Sequence, residues 1–307
     1  MRLQKWHCCA AVSFAVLAFI PVLLRAQSAG SDWEKAAGGK LSFDVASVKR
    51  NTSNRYHTRF PLDAGGSYSP NGSLFSVEGC WLRLYIGFAY KLSPIQQQAL
   101  ETTLPQWVNV DRFDIQARIP EGMSPTKDQL RLMVRTLLDE RFKLVAHMES
   151  KQVPVYALVL AKRGVTGPQL KPHLGAPCDA FSSLYERDAK GFPAPCGAFV
   201  AGEGNVDSSE GGGRNISIQY FADCVSALPV TITNVDRPIL DRTGLSGKFD
   251  IALEWAEAPL PNATTSPDTS GPTFLEALQD QLGLKLKPAV GSVNNLVIDH
   301  IEEPTPN

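Results

Sequence analysis

The chain comes close to stating one pattern twice, and that near-repetition limits it to folds that can be assembled from two related halves. "GCWLRLYIGFAY…DRFDIQARI" and "NISIQYFADCVS…GKFDIALEW" align at a constant offset of 136, pairing Phe113-Asp114-Ile115 with Phe249-Asp250-Ile251, Leu82 with Ile218 and Tyr85 with Phe221. Downstream, "LRLMVRTLLDERFKLVAHMESKQVPVYALVLAK" and "FLEALQDQLGLKLKPAVGSVNNLVIDHIEE" repeat a helical run followed by strand-like runs, with Leu137 opposite Leu278 and Asp139 opposite Asp280 at an offset of 141. Solenoid units are roughly 20–50 residues long, so this spacing points to a pseudo-duplicated domain pair instead. Duplicated small modules usually build binding surfaces rather than one catalytic centre.

Periodicity divides each half into elements. In "FDVASVKRN", Phe43, Val45 and Val48 mark a first strand, and Asn71-Gly72 is a hairpin turn signal. Leu82, Tyr85, Ile86, Ala89 and Tyr90 recur with helical spacing, which predicts a helix from Cys80 to Tyr90. "LPQWVNV" leads into the alternating strand "RFDIQARI", and Thr126 with Gln129 forms a capping box that starts a second helix. "FKLVAHM" and "VPVYALVLAK" read as a hairpin around "ESKQ", with Pro154 at a strand start where its missing N–H does least harm. Residues 164–213 are rich in Gly and Pro and read as a flexible insertion that ends in the linker glycines Gly211 to Gly213. The second half resumes at Arg214 with a helix from Ile218 to Leu228, strands "VTITN" and "KFDIALEW", a helix from Thr273 to Leu282 begun by the Thr273/Glu276 capping box, and closing strands around Leu284 and "LVIDHIE". The expected fold is α+β: two pseudo-repeated helix-on-sheet units over residues 41–163 and 214–303, with the Pro/Gly-rich insertion 164–213 between them.

The N-terminus reads as an export signal over residues 1–28, with Arg2 and Lys5 ahead of the apolar run Cys8 to Leu24 and a small-residue exit at Ala26-Gln27-Ser28. The alternative is an uncleaved anchor; Pro21 and the small residues after Arg25 favour cleavage, leaving no stable membrane span and a periplasmic or extracellular protein. Loss of this segment removes three of 30 basic residues and none of 31 acidic ones, taking the net charge from −1 to about −4. A chain of that charge with no basic stripe is a poor partner for nucleic acid. Four cysteines remain in a route that permits oxidation. Cys178 and Cys196 share one loop and are expected to pair, and Cys80 with Cys224 would then follow, the other reading of that pair being two buried free thiols.

No reactive constellation emerges. His57, His147, His173 and His300 lack the i, i+4 spacing of a zinc helix, there is no GxSxG elbow, and Gly211 to Gly213 lack the GK[ST] of a phosphate loop. No catalytic, metal or cofactor-binding residue is therefore assigned. "DRTG" reads as a turn in which Asp241 caps local N–H groups and Gly244 and Gly247 supply positive φ. Asp114 and Asp250, each just after a basic neighbour, have two readings: a symmetric pair of ligand contacts, or outward aspartates that pair across strands with a cation.

"FDVASVKRN", "QWVNVDRFDIQAR", "LLDERFKLVAHMESKQVPVYALVLAKRGVTGPQLKP", "PILDRTGLSGKFDIALEW" and "LEALQDQLGLKL" resemble, from about Phe43 to Glu303, an exported soil-bacterial family of unknown function. Related domains occur beside membrane-embedded metallopeptidases of the antirepressor-sensor type, which implies envelope sensing. "FLEALQDQLGLKLKPAVGSVNNLVI" is also similar to the short N-terminal domain of secretins and TonB-dependent receptors, although the first repeat has Arg141-Phe142 where that pattern has glycine. The expected function is a non-enzymatic envelope binding or sensing module that engages a protein partner by strand addition. The alternatives are a secreted hydrolase with residues assembled across the repeat interface, acting on an envelope or polymer substrate, and a self-assembling structural protein.

Overall fold

A computed structural model describes residues 32–53, 57–58, 73–175, 196–203, 208–256 and 271–304. The first half runs α1 (Asp32–Ala36), β1 (Val45–Asn51), β2 (His57–Thr58), β3 (Leu74–Trp81), α2 (Leu82–Ala89), α3 (Pro94–Glu101), α4 (Gln106–Val110), β4 (Arg112–Arg118), α5 (Lys127–Phe142) and β5 (Val145–Leu160). The second runs β6 (Leu170–Pro172), β7 (Val200–Glu203), β8 (Ser208–Ile216), α6 (Ile218–Ala227), α7 (Val230–Thr233), β9 (Ile239–Asp241), β10 (Phe249–Ala256), α8 (Phe274–Leu282) and β11 (Leu284–His300). The α+β class read from the sequence holds.

Each half builds an antiparallel four-stranded sheet, β1-β4-β3-β2 in one and β6-β10-β8-β7 in the other. The registers superimpose at the offset of 136: Val77 faces Ile115 as Gly213 faces Ile251, and both ladders carry a bulge just after these pairs. Alternation along "RFDIQAR" and "FDIALEWA" buries Phe113, Ile115 and Ala117 on one core and Phe249, Ile251, Leu253 and Trp255 on the other. The capping boxes at Thr126/Gln129 and Thr273/Glu276 are both present.

The two halves are fused through a third sheet, ordered β11-β5-β9. β5 and β11 pair antiparallel along nearly their whole lengths, Leu160 with Leu284 at one end and Val145 with His300 at the other. The expected hairpins are therefore absent: "VAHMESKQVPVYALVL" runs straight through "ESKQ" as one 16-residue strand. The physical reason is the partner. One end of the ribbon supplies Leu144, Ala146, Leu296 and Ile298 to the first core, and the other supplies Leu158, Leu160, Leu284 and Leu286 to the second, so each strand is stabilised by both. Pro154 sits mid-strand, not at a start. Its neighbour in alternation, Tyr156, directs its N–H away from β11 to the Pro238 carbonyl (2.8 Å), so the N–H that Pro154 lacks is one the ribbon does not use.

Three further expectations change. Residues 164–213 hold β6, β7 and most of β8, so the second unit starts before Arg214 and the stretch is partly sheet. "VTITN" is the short helix α7, entered at Pro229 and ended by Asn234 in the left-handed region (φ 56°). The helices α5 and α8 end on left-handed Lys143 (φ 51°) and Gly283 (φ 71°), which places their offset at 140 rather than 141 and makes Lys143 the counterpart of the glycine. The helix α3, with a complete Ser93/Gln96 capping box and Pro94 in its first turn, was not anticipated. The turn expected at Asn71-Gly72 lies outside the described residues.

Candidate functional site

The repeated aspartates hold the bulges closed. Asp114 Oδ1 accepts from the Gly79 N–H (2.7 Å) and from Asn51 Nδ2 (2.6 Å); Asp250 Oδ1 accepts from the Asn215 N–H (3.0 Å) and sits 2.7 Å from His173 Nδ1. Gly79 and Asn215 are the positive-φ residues of the two bulges, at 63° and 57°. Asn51 and His173 follow the edge-strand residues Arg50 and Pro172 that face Phe113 and Phe249, so they too are equivalent. A carboxylate joining edge strand, central strand and bulge is thus the repeated unit, and Arg112 and Lys248 are not its partners in these contacts.

Cys80 and Cys224 are buried and are not joined to each other by a disulfide, which overturns their expected pairing and leaves the other reading, two separate buried thiols. Burial pushes the Cys80 thiol up to about 12, against a smaller opposing pull from Arg83, so it is held as an unreactive thiol. Cys196 is buried and is not among the free thiols; Cys178 lies outside the described residues. His147 and His300 lie in β5 and β11 beside Asp299 (2.8 Å) and Glu302 (2.7 Å). His57 falls in β2. Asp241 accepts from the Thr243 N–H (2.9 Å) and hydroxyl (2.7 Å), and Gly244 and Gly247 have positive φ, the turn read from "DRTG". Among the described residues no three His, Cys, Asp or Glu side chains come together as a metal set, and no helix is long and apolar enough to cross a membrane.

Two surfaces stand out among the described residues. A cleft of about 440 Å³ lies at the start of β5, walled by Tyr90, Arg135, Asp139, Glu34, Lys40 and Val145. Arg135 pairs with Glu34 (3.0 Å) and stacks 4.1 Å over the Tyr90 ring. Burial raises the Tyr90 phenol above its ordinary value, opposed by Arg135 and reinforced by Asp139 and Glu34. Arg135 and Glu34 thereby neutralise each other within the lining.

The second surface is the side of β5 that faces away from β11. Here β9 pairs with Tyr156–Leu158 alone, so among the described residues no strand pairs with this side from Val145 to Val155. Tyr156 N–H and Leu158 C=O point to this side, and strand alternation places the N–H and C=O groups of Met148, Ser150 and Gln152 there as well. His147, Met148, Ser150, Lys151 and Gln152 are exposed. Among the described residues the other edges are shorter or covered: β2, β6 and β7 have two to four residues, Arg141 donates to the Ala46 carbonyl on β1 (2.9 Å), and β11 carries Pro288 and is crossed by α3, whose Gln96 donates to the Asn294 carbonyl (2.6 Å). One sequence signal could have exposed this edge: "ESKQ" contains no Gly, Pro, Asn or Asp, the residues a tight hairpin turn needs.

No curated protein and no solved structure gives a significant match to the chain. A family model described as a protein of unknown function, DUF3738, matches residues 83–301, from α2 through the end of β11, which takes in β4, the whole second sheet and the ribbon that fuses the halves but not β1 to β3: the chain belongs to the DUF3738 family.

Proposed function

We propose that this protein is an exported, non-enzymatic binding module of the cell envelope that engages a partner by strand addition along Met148–Gln152 of β5. The observation that carries the reading is the uncovered edge in a ribbon whose other long edge is closed by a proline and a helix. An open row of backbone donors and acceptors is a template for an extended segment, with main-chain hydrogen bonds providing affinity and flanking side chains providing selection. The duplicated scaffold supports it, because both cores brace the ribbon from its two ends and keep the edge straight. Export rests on the leader-like residues 1–28, and fractionation of expressing cells checks it.

The test compares wild type with Ser150→Pro as baits for envelope extract. Proline at 150 removes one outward donor, and Pro154 in β5 and Pro288 in β11 already occupy the corresponding outward positions of this ribbon without breaking it. A protein captured by wild type and lost by the folded variant supports strand addition. Equal capture by both, or none by either, removes its basis.

A further inference from the structure

The open edge of β5 is complementary to itself. We propose that two copies of this chain pair antiparallel through Met148–Gln152 about a dyad at Ser150, extending two ribbons into one sheet. The inference rests on reading this edge as the binding surface and adds its regulation: pairing of copies keeps the edge covered until a partner strand competes for it.

The register follows from backbone geometry and charge. Only residues whose N–H and C=O point outward can form the hydrogen-bonded pairs of such a ladder, and these are the even-numbered ones, while the odd-numbered residues face each other in the non-hydrogen-bonded pairs between them. With the dyad at Ser150, Ser150 meets Ser150 of the second copy, and Met148 meets Gln152 in both directions. On the opposite face Glu149 then lies against Lys151 of the second copy, twice. Lys151 is exposed, Glu149 is half-buried, and the two bridge each other within one strand at 2.8 Å, so both charges already stand on the face where the exchange would occur. A dyad at Met148 would set Glu149 against His147, and one at Gln152 would set Glu149 and Lys151 against Val155 and Val153. Only the Ser150 register matches opposite charges at both positions. The ladder stops beyond Gln152 because Pro154 lacks a donor and β9 fills the next stretch from Tyr156. β11 offers no equal alternative, with Pro288 interrupting its donors and Lys285 and Lys287 both cationic.

Sedimentation velocity on the protein as the cell processes it provides the test, at low salt and over a wide concentration range. Wild type should pass from monomer to dimer as concentration rises. Lys151→Glu and Glu149→Lys each set like charges opposite, and each should weaken the dimer by on the order of tenfold. An equimolar mixture of the two variants restores both opposite-charge pairs and should dimerise again, which a general loss of folding would not do. The proposal is overturned by a wild type that stays monomeric throughout, by single variants that dimerise as wild type does, or by a mixture that stays monomeric. A monomeric wild type whose envelope partner is still lost on Ser150→Pro would end this inference and leave the proposed function standing; a dimer with no such partner would do the reverse.

Discussion

Residues 75–77 and 211–213 occupy the same places in the two halves, yet one reads Phe-Ser-Val and the other Gly-Gly-Gly. In the first half Phe75 and Val77 are buried and fill the core from their own strand. In the second, the chain from Cys196 to Phe199 runs so close to β8 that a Cβ on Gly213 would lie 2.1 Å from the Ala198 carbonyl oxygen, and one on Gly211 would lie 2.9 Å from the Phe199 ring. Phe199 packs edge-on against Phe221, 5.3 Å between centroids, and supplies from outside the bulk that the strand omits. One backbone plan therefore accepts two ways of filling a core, provided volume is conserved. The glycines are places of close backbone approach, not a linker.

The largest expected effect comes from forcing the first solution onto the second half. Gly213→Val should cost at least about 3 kcal/mol in urea unfolding, because backbone cannot yield as a side-chain tip can. A loss below about 1 kcal/mol would mean that Ala198 does not press on β8.

A second measurement asks whether the bulge carboxylates are equivalent. Asp114→Ala and Asp250→Ala each leave the bulge N–H and an edge-strand donor without an acceptor, and each should cost about 1–3 kcal/mol. Similar losses would extend the equivalence to energetics. A difference of more than about twofold would show that Asn51 and His173 support their partners unequally.

The smallest effect lies where the halves diverge most. After α2 the first half places α3, whereas after α6 the second places α7 and β9, and α3 packs on α6. Asp223 on α6 meets Gln219 (2.8 Å) and Ser93 at the start of α3. Burial raises its carboxyl to about 6, with the Gln219 and Ser93 hydrogen bonds opposing. A folded value above the unfolded one means that the native state holds the proton more tightly. The associated stability is fully present below the unfolded value of 3.8 and is lost as pH rises through about 6. Asp223→Asn should accordingly stabilise the protein at pH 7.5 by on the order of 1 kcal/mol and flatten thermal stability between pH 4 and pH 7. An unchanged pH profile would place the α3–α6 contact outside this linkage.

Much of the local structure was legible because local rules decide it. The capping boxes, the helical spacing of "LRLYIGFAY", the "DRTG" turn and the alternation of "FDI" strands all act within a few residues. Other elements needed distant information. "ESKQ" looked like the tip of a hairpin because two strand-like runs flanked it, and only β11, whose nearest paired residue is more than a hundred positions away in the chain, keeps it straight. The glycine run looked like a linker because the segment that covers it, Cys196 to Phe199, is not its neighbour in the sequence. Asp114 and Asp250 were visible as a repeated pair, but their partners sit in bulges and edge strands that sequence spacing does not bring together.

By itself the sequence determined a duplicated α+β chain: the helices α2, α5, α6 and α8, the alternation of the "FDI" strands, and the residues that recur at a fixed offset, since propensity, capping and burial periodicity are properties of short segments. Tertiary structure alone decided that the halves share one long ribbon, that a phenylalanine from a crossing segment completes the second core, and that, among the described residues, no strand covers one edge of β5. Strand pairing and core filling depend on which distant segments meet, and a one-residue alternation is compatible with many partners until the packed cores select one.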